Sequence, residues 1–322
     1  MQDLPTDDGG HVGGGIRLPV PMFFMVGAPK CGTTALAEYL RVHPNVFITR
    51  PKEPRYFARH LQIDLDSAPA YTKSLKSYLK IYEGVDPRIH RVAGEASTSY
   101  LRSPESLKEI RSFNPDARIV VMLRNPVDLA YSWHGQKLLE GQEIVADFVQ
   151  AWNLQEERAH GKRIPRSLRT LDALQYAKVA SVGSQLEELL RIFSRDRVFV
   201  GFYDDLAEDP LSLYQSLLEF LEVPYEGRVE FERHRAGAEI RWPTLWRLAN
   251  DRPAALERWL QPVRRLGGDS LIWMARRLLA LTLSERVRLP RAVRQELQET
   301  LSPEIRKVEK LTGRDLQSWY AT

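Results

Sequence analysis

The sequence predicts an α/β fold: a doubly wound, mostly parallel central sheet flanked by helices, with a helical C-terminal part. Three observations carry that reading. Short β-branched, aromatic and aliphatic runs alternate with helical patterns through the first two thirds of the chain. A glycine-containing loop sits between the first such run and the first helical pattern, as at a strand–turn–helix phosphate site. Beyond about Ala207 the strand pattern stops and helical spacing takes over.

Taken in order, the candidate strands are Phe23–Val26, Asn45–Ile48, Arg91–Gly94, Ile119–Leu123 and Val198–Phe202. Helical spacing covers Thr33–Arg41, Ser103–Phe113, Pro126–Leu139 and Ser184–Phe193, and then Leu211–Leu221. Val223–Ala238 is mixed and charged, Leu245–Leu283 is rich in Trp, Leu and Arg, and Leu301–Tyr320 again shows helical periodicity. With no internal repeat or composition break, residues 22–322 read as one domain, with 207–322 mostly helical and a candidate acceptor lid. Residues 1–21, acidic and glycine-rich, read as a flexible tail rather than a secretory signal.

The chain has 322 residues, 43% hydrophobic and 27% charged, with a net charge of +4. That mild excess suits anionic ligands but is too weak to indicate nucleic acid. A single cysteine, Cys31, rules out an intrachain disulfide framework. No run reaches the ~18 apolar residues of a membrane span. The expectation is a cytoplasmic protein without a transmembrane segment. The Leu245–Leu283 stretch, basic and amphipathic, is read first as core and second as a surface that rests on a membrane.

The chemistry concentrates in the loops after the strands, where ligands bind in such sheets. The first is Gly27-Ala28-Pro29-Lys30-Cys31-Gly32-Thr33-Thr34, followed by Ala35 and the helix. Glycine lets backbone N–H groups approach a phosphate, the helix N-terminus adds partial positive charge, and Lys30 adds a full one. A Walker loop places lysine directly after its second glycine. Here Lys30 precedes Gly32 by two residues, which argues against a kinase or NTPase.

The run Lys30-Cys31-Gly32-Thr33-Thr34-Ala35-Leu36, with His43-Pro44, resembles the 5′-phosphosulfate loop of sulfotransferases that use 3′-phosphoadenosine 5′-phosphosulfate (PAPS), in their heparan-sulfate-type and bacterial branch. The resemblance implies a P-loop-like fold and PAPS as co-substrate, with no metal required. Arg124, at the end of a strand, and Ser132, eight residues later, are similar to the family's 3′-phosphate motif. Arginine offers a planar fork to phosphate and serine a hydroxyl. Pro51-Lys52-Glu53-Pro54-Arg55-Tyr56-Phe57 looks like the segment whose glutamate is the family's proposed base, which maps to Glu53. Glu95, in Gly94-Glu95-Ala96-Ser97-Thr98-Ser99-Tyr100, is a second carboxylate candidate, for substrate binding or for orienting Lys30. Lys30 itself suits the leaving phosphate.

His43 matches a structural histidine of this branch, and His134 is a weak base candidate. Gly141-Gln-Glu143…Phe148 and Leu311-Thr-Gly313-Arg314-Asp315-Leu316…Trp319 extend the resemblance to the C-terminus. Arg235 and Arg241, in a basic loop, are candidates for closing over the 3′-phosphate. The reading is sulfuryl transfer to a hydroxyl or amine of a carbohydrate, lipid or small-molecule acceptor, without nucleic acid. An atypical P-loop kinase or NTPase, and a non-catalytic nucleotide-binding protein of the same fold, remain as alternatives.

Overall fold

The computed structural model describes residues 21–66, 68–170, 172–231 and 289–321, together with the backbone of 238–239 and 284–285. The sheet begins with β1 (Phe23–Gly27), five residues with no exposed side chain. The chain then turns into α1 (Thr33–Arg41) and returns through β2 (Val46–Ile48) and β3 (Val92–Ala96). It continues through α2 (Pro104–Phe113), β4 (Arg118–Leu123), α3 (Pro126–Leu139), α4 (Val182–Ile192) and β5 (Val198–Phe202). Beyond β5 lie α5 (Tyr203–Glu208) and α6 (Pro210–Phe220). Next come the two-residue antiparallel pair β6 (Ala238–Glu239) and β7 (Ser284–Glu285), and α7 (Arg291–Thr312).

The five strands lie in the order β2-β3-β1-β4-β5, and every ladder between them is parallel. Burial on both faces explains why these strands read as continuous apolar runs rather than alternating ones. After β1 the chain builds one side of the sheet, then crosses to build the other. The switch point therefore lies at the carboxyl ends of β1 and its neighbours, where ligands collect in such sheets. Close packing sets the sequence locally. A Cβ at Gly94 would fall 2.5 Å from the Phe23 carbonyl oxygen, so β3 can pair with β1 only with glycine there.

Helix starts follow a repeated device. Ser103-Pro104, Asn125-Pro126 and Asp209-Pro210 each supply a capping side chain and a proline in the first turn. The helix α1 is different: its N-cap is Gly32, and no side chain caps it.

The structure adjusts several sequence-based boundaries. The strand β3 runs through Ala96 rather than ending at Gly94, which puts Glu95 inside the sheet. Helix α4 covers Val182–Ile192, and Phe193 leaves it in an extended conformation. The C-terminal pattern divides at Gly313, whose φ of 70° ends α7, and a separate 3₁₀ turn spans Gln317–Tyr320. The helices Ala70–Lys73, Leu75–Lys80, Phe148–Asn153, Gln155–Ala159 and Tyr176–Ala180 were not expected. At four to six residues they are too short for periodicity to reveal, and tertiary packing rather than propensity holds them. Apart from β6 and β7, the stretches His234–Pro243 and Leu245–Leu283 lie outside the described residues, as does nearly all of the N-terminal segment.

Candidate active site

The loop leaving β1 is held by the Ala28 amide, which donates to the Met122 carbonyl at 2.7 Å. Lys30 and Gly32 both take positive φ, 63° and 83°. At Gly32 the conformation favours glycine, and a Cβ there, 2.3 Å from Leu206 Cδ2, would also push that side chain aside. The first amides of α1 have no intrahelical acceptor. Thr33, Thr34 and Ala35, which carry them, line a cavity of about 830 Å³. Lys30 lines it too, and its ammonium donates to Gln136 Oε1 at 3.1 Å. Cys31 lies beneath the loop, fully buried, with its thiol donating to the Pro29 carbonyl. Burial pushes that thiol up to about 12, against the nearby Arg124 and Lys30 charges. A thiol so held stays protonated and is a poor nucleophile.

The strand β4 delivers Arg124 to the same cavity, and α3 presents Ser132 to it. Arg124 donates to the Lys30 carbonyl at 3.3 Å, and its guanidinium lies over the Tyr203 ring at 4.2 Å. Tyr203, Leu206 and Pro210 from the chain after β5, with Tyr39 and Phe231, give this end an apolar, aromatic wall. Sequence reasoning passed over Tyr203. The signal was there: an aromatic followed by Asp204-Asp205 directly after a buried strand.

Glu53 also faces the cavity, on the segment that follows β2. Its φ is 63°, and its amide donates to the Ala96 carbonyl at the end of β3. Lys52 Nζ donates to Oε1 at 3.0 Å, Thr98 Oγ1 to the same oxygen at 2.9 Å, and Arg55 Nε to Oε2 at 3.2 Å. Burial works to raise this carboxyl, but the Lys52 and Arg55 charges and the two side-chain hydrogen bonds prevail and hold it down to about 2.

Glu95 does not line the cavity; it is fully buried beside it. Tyr78 and Tyr100 each donate to Oε1 at 2.8 Å, and Ser97 donates to Oε2 at 2.6 Å. Burial pushes Glu95 up to about 7, opposed by those three hydroxyls and reinforced by the Glu53 charge. Two of these hydroxyls also grip the Glu53 segment. Ser97 Oγ accepts from the Arg55 amide at 3.0 Å, and Tyr100 Oη from the Phe57 amide at 3.4 Å.

A wall that the sequence reading did not single out completes the cavity with Arg102, Trp133, Gln136, Lys137 and Glu140. Arg102 is paired with buried Asp172 at 2.6 Å. The Lys137 ammonium pairs with Glu140 at 2.5 Å and lies 4.0 Å from the Trp133 ring centre. The two histidines are placed elsewhere. His43 meets the Pro224 carbonyl, and His134, buried against Phe148 and Tyr176, meets that of Val145. Glu143 accepts from Arg158 at 2.6 and 2.8 Å in a buried pair. Arg235 and Arg241 lie outside the described residues.

The family model described as "Sulfotransferase domain" matches residues 21–236. Among curated relatives, the bifunctional heparan sulfate N-deacetylase/N-sulfotransferase 1 of Caenorhabditis briggsae is 26% identical over 67% of this chain and 24% of its own. The human carbohydrate sulfotransferase 15 is 30% identical over 35% of this chain and 26% of its own. The chain thus spans about a quarter of the length of the curated relatives it matches. A sulfotransferase crystal structure from Alicyclobacillus acidocaldarius superposes with a TM-score of 0.69 at 24% identity, covering 94% of this chain and 99% of that one. At that identity the likeness concerns the fold.

Proposed function

The chain belongs to the sulfotransferase domain family, and on that premise we propose that it transfers a sulfuryl group from PAPS to a hydroxyl or amine of an acceptor, with carbohydrate favoured by the relatives. The observation that carries this reading is one cavity lined by three groups that suit two anions and a proton acceptor: the start of α1 with Lys30, Arg124 with Ser132, and Glu53. In this reading one anion meets the uncapped start of α1 and Lys30, and the other meets Arg124 and Ser132. Two separate anion sites suit a nucleotide phosphorylated at two positions better than they suit ATP or AMP. The aromatic wall beside Arg124 suits the flat face of its base.

PAPS, when bound, supplies an activated sulfuryl group on a phosphosulfate anhydride. In the proposed step the acceptor oxygen or nitrogen attacks sulfur, and the bond to the bridging oxygen breaks. The electron pair leaves with the 5′-phosphate, and the acceptor proton passes to Glu53. Lys30 and the α1 amides meet the charge that develops on the leaving oxygen. Glu53 held at about 2 is ionised but weakly basic. An anionic donor competes for Lys52, and each cation drawn from Glu53 raises its proton affinity. In this reading donor binding readies the base. Glu95 serves by fixing the segment that carries Glu53, and Arg235 and Arg241 are retained as proposed 3′-phosphate contacts.

The test is differential stabilisation. The desulfated nucleotide PAP (3′-phosphoadenosine 5′-phosphate), at ~100 times its dissociation constant, should add about 2.7 kcal/mol of stability. AMP and ATP at the same concentration should add much less. Equal shifts for PAP and ATP would overturn the two-phosphate reading.

A further inference from the structure

Two carboxylates stand directly behind the aromatic wall of the cavity. Asp204 and Asp205 follow Tyr203 in α5, and neither lines the cavity, although Tyr203, Leu206 and Ala207 do. Asp204 is nevertheless within electrostatic reach of the loop after β1. Burial dominates the rise of the Cys31 thiol there, but the Asp204 charge adds to it, whereas Arg124 and Lys30 oppose it. An acid this close to two proposed phosphate positions would repel the donor if it turned inward, and it would compete for Arg124.

The far end of the chain holds these acids in place. Trp319 is 2% exposed, and its indole Nε1 donates to Asp204 Oδ2 at 2.6 Å. Its ring meets Phe202 edge to face, with centres 6.0 Å apart. Arg314 takes Asp205 with both guanidinium nitrogens and lies over the same Phe202 ring at 4.1 Å. The Trp319 carbonyl accepts from Asn125 Nδ2 at 2.9 Å and from Gln298 Nε2 at 2.6 Å. Asn125 follows Arg124 and caps α3, the helix that carries Ser132. One tryptophan thus ties the residue after Arg124 to the residue after Tyr203, whose own side chains already stack. A buried indole needs some acceptor for its N–H, and any carbonyl would serve for packing alone. Here the acceptor is the acid nearest the donor loop.

We propose that Trp319 is a positioning residue of the donor site: its indole N–H keeps the Asp204 carboxylate turned away from the phosphates and from Arg124. This rests on the sulfuryl-transfer reading and brings the C-terminal turn into the electrostatics of the donor site.

The test is PAP affinity, measured calorimetrically in the wild type, Trp319→Phe, Asp204→Asn and the double variant. Phenylalanine keeps a ring against Phe202 and removes only the N–H. Trp319→Phe should weaken PAP binding by about tenfold or more, from the freed like charge, and AMP, with one phosphate fewer, should lose less. Adding Asp204→Asn should restore affinity to within about twofold of the wild type. A tryptophan that serves packing alone predicts no such recovery. Asp204→Asn by itself should bind PAP at least as tightly as the wild type, and this variant carries the test should Trp319→Phe fail to fold. No PAP binding by the wild type would sink the sulfuryl-transfer reading itself. With the wild type binding PAP, unchanged affinity in Trp319→Phe, a double variant no better than Trp319→Phe, or weaker binding in Asp204→Asn would overturn the role given to Trp319.

Discussion

At the residue scale the site works by holding charges in tension. Arg124 is positioned by the Lys30 carbonyl and the Tyr203 ring, and among the described residues no carboxylate in the cavity pairs with it. Arg124→Ala should therefore weaken PAP binding by roughly ten- to a hundredfold. AMP, which lacks the 3′-phosphate, should lose little. Competition titrations of the two nucleotides against the variant test this, and an intact preference for PAP would remove Arg124 from the 3′-phosphate site. Glu53 and Lys30 should separate in the same way. Glu53→Gln keeps the shape and the Thr98 contact but cannot take a proton. PAP should still bind while turnover falls about 10²–10⁴-fold. Lys30→Ala should lose affinity and rate together, because in the proposed step that ammonium meets both the bound sulfate and the leaving oxygen. Normal turnover in Glu53→Gln would move the base elsewhere. Lys30, Glu53 and Arg124 were legible in the sequence because each lies in or beside a loop after a strand, within two residues of glycine or proline. Ser132, inside α3, was legible only through its spacing of eight from Arg124, in a motif that resembles the family's. Lys137 and Arg102 were not legible. They sit among ordinary helix and turn residues, and only the tertiary fold brings both to the cavity wall.

At the element scale the decisive piece is the junction of β1 with α1. A conventional N-cap side chain would satisfy one of the first-turn amides, and glycine leaves them for a ligand. Gly32→Ala should cost about 1–2 kcal/mol from the left-handed backbone alone, and more from the Leu206 contact. If the loop yields rather than the fold, the melting temperature will fall modestly while PAP affinity collapses. A variant that binds PAP as the wild type does would show that the loop geometry is not needed for the phosphate. The element pattern also explains what the sequence revealed. The buried strands are continuous apolar runs, and the capped helices carry their Ser-Pro, Asn-Pro and Asp-Pro signatures. The end of β3 was misplaced because Glu95 and Ala96 look like loop. Three hydroxyls distant in sequence or beyond the strand make a carboxylate tolerable inside a sheet.

At the scale of the whole molecule, Glu95 and Glu53 link folding to pH with opposite signs. Glu53, held at about 2, is depressed below the ordinary carboxyl value near 4.5. The stability it contributes is present above 4.5 and is lost as pH falls through about 2. Glu95, raised to about 7, behaves in reverse. Its contribution is fully present below about 4.5 and is lost as pH rises through 7, a change on the order of 3 kcal/mol for a shift of this size. Between pH 4.5 and 7 only Glu95 of the two changes its contribution. Glu95→Gln carries no titratable proton, so its stability curve should lose that decline. The amide cannot accept from all three hydroxyls as a carboxylate does, so the variant should also hold the Glu53 segment less firmly. Chemical denaturation of wild type and Glu95→Gln at several values across that window measures the first effect directly. The second appears as lowered turnover with PAP affinity preserved, since neither the α1 loop nor Arg124 contacts Glu95. A wild-type curve that stays flat from 4.5 to 7, or one that declines equally in Glu95→Gln, would show that the buried carboxylate is not the group that titrates.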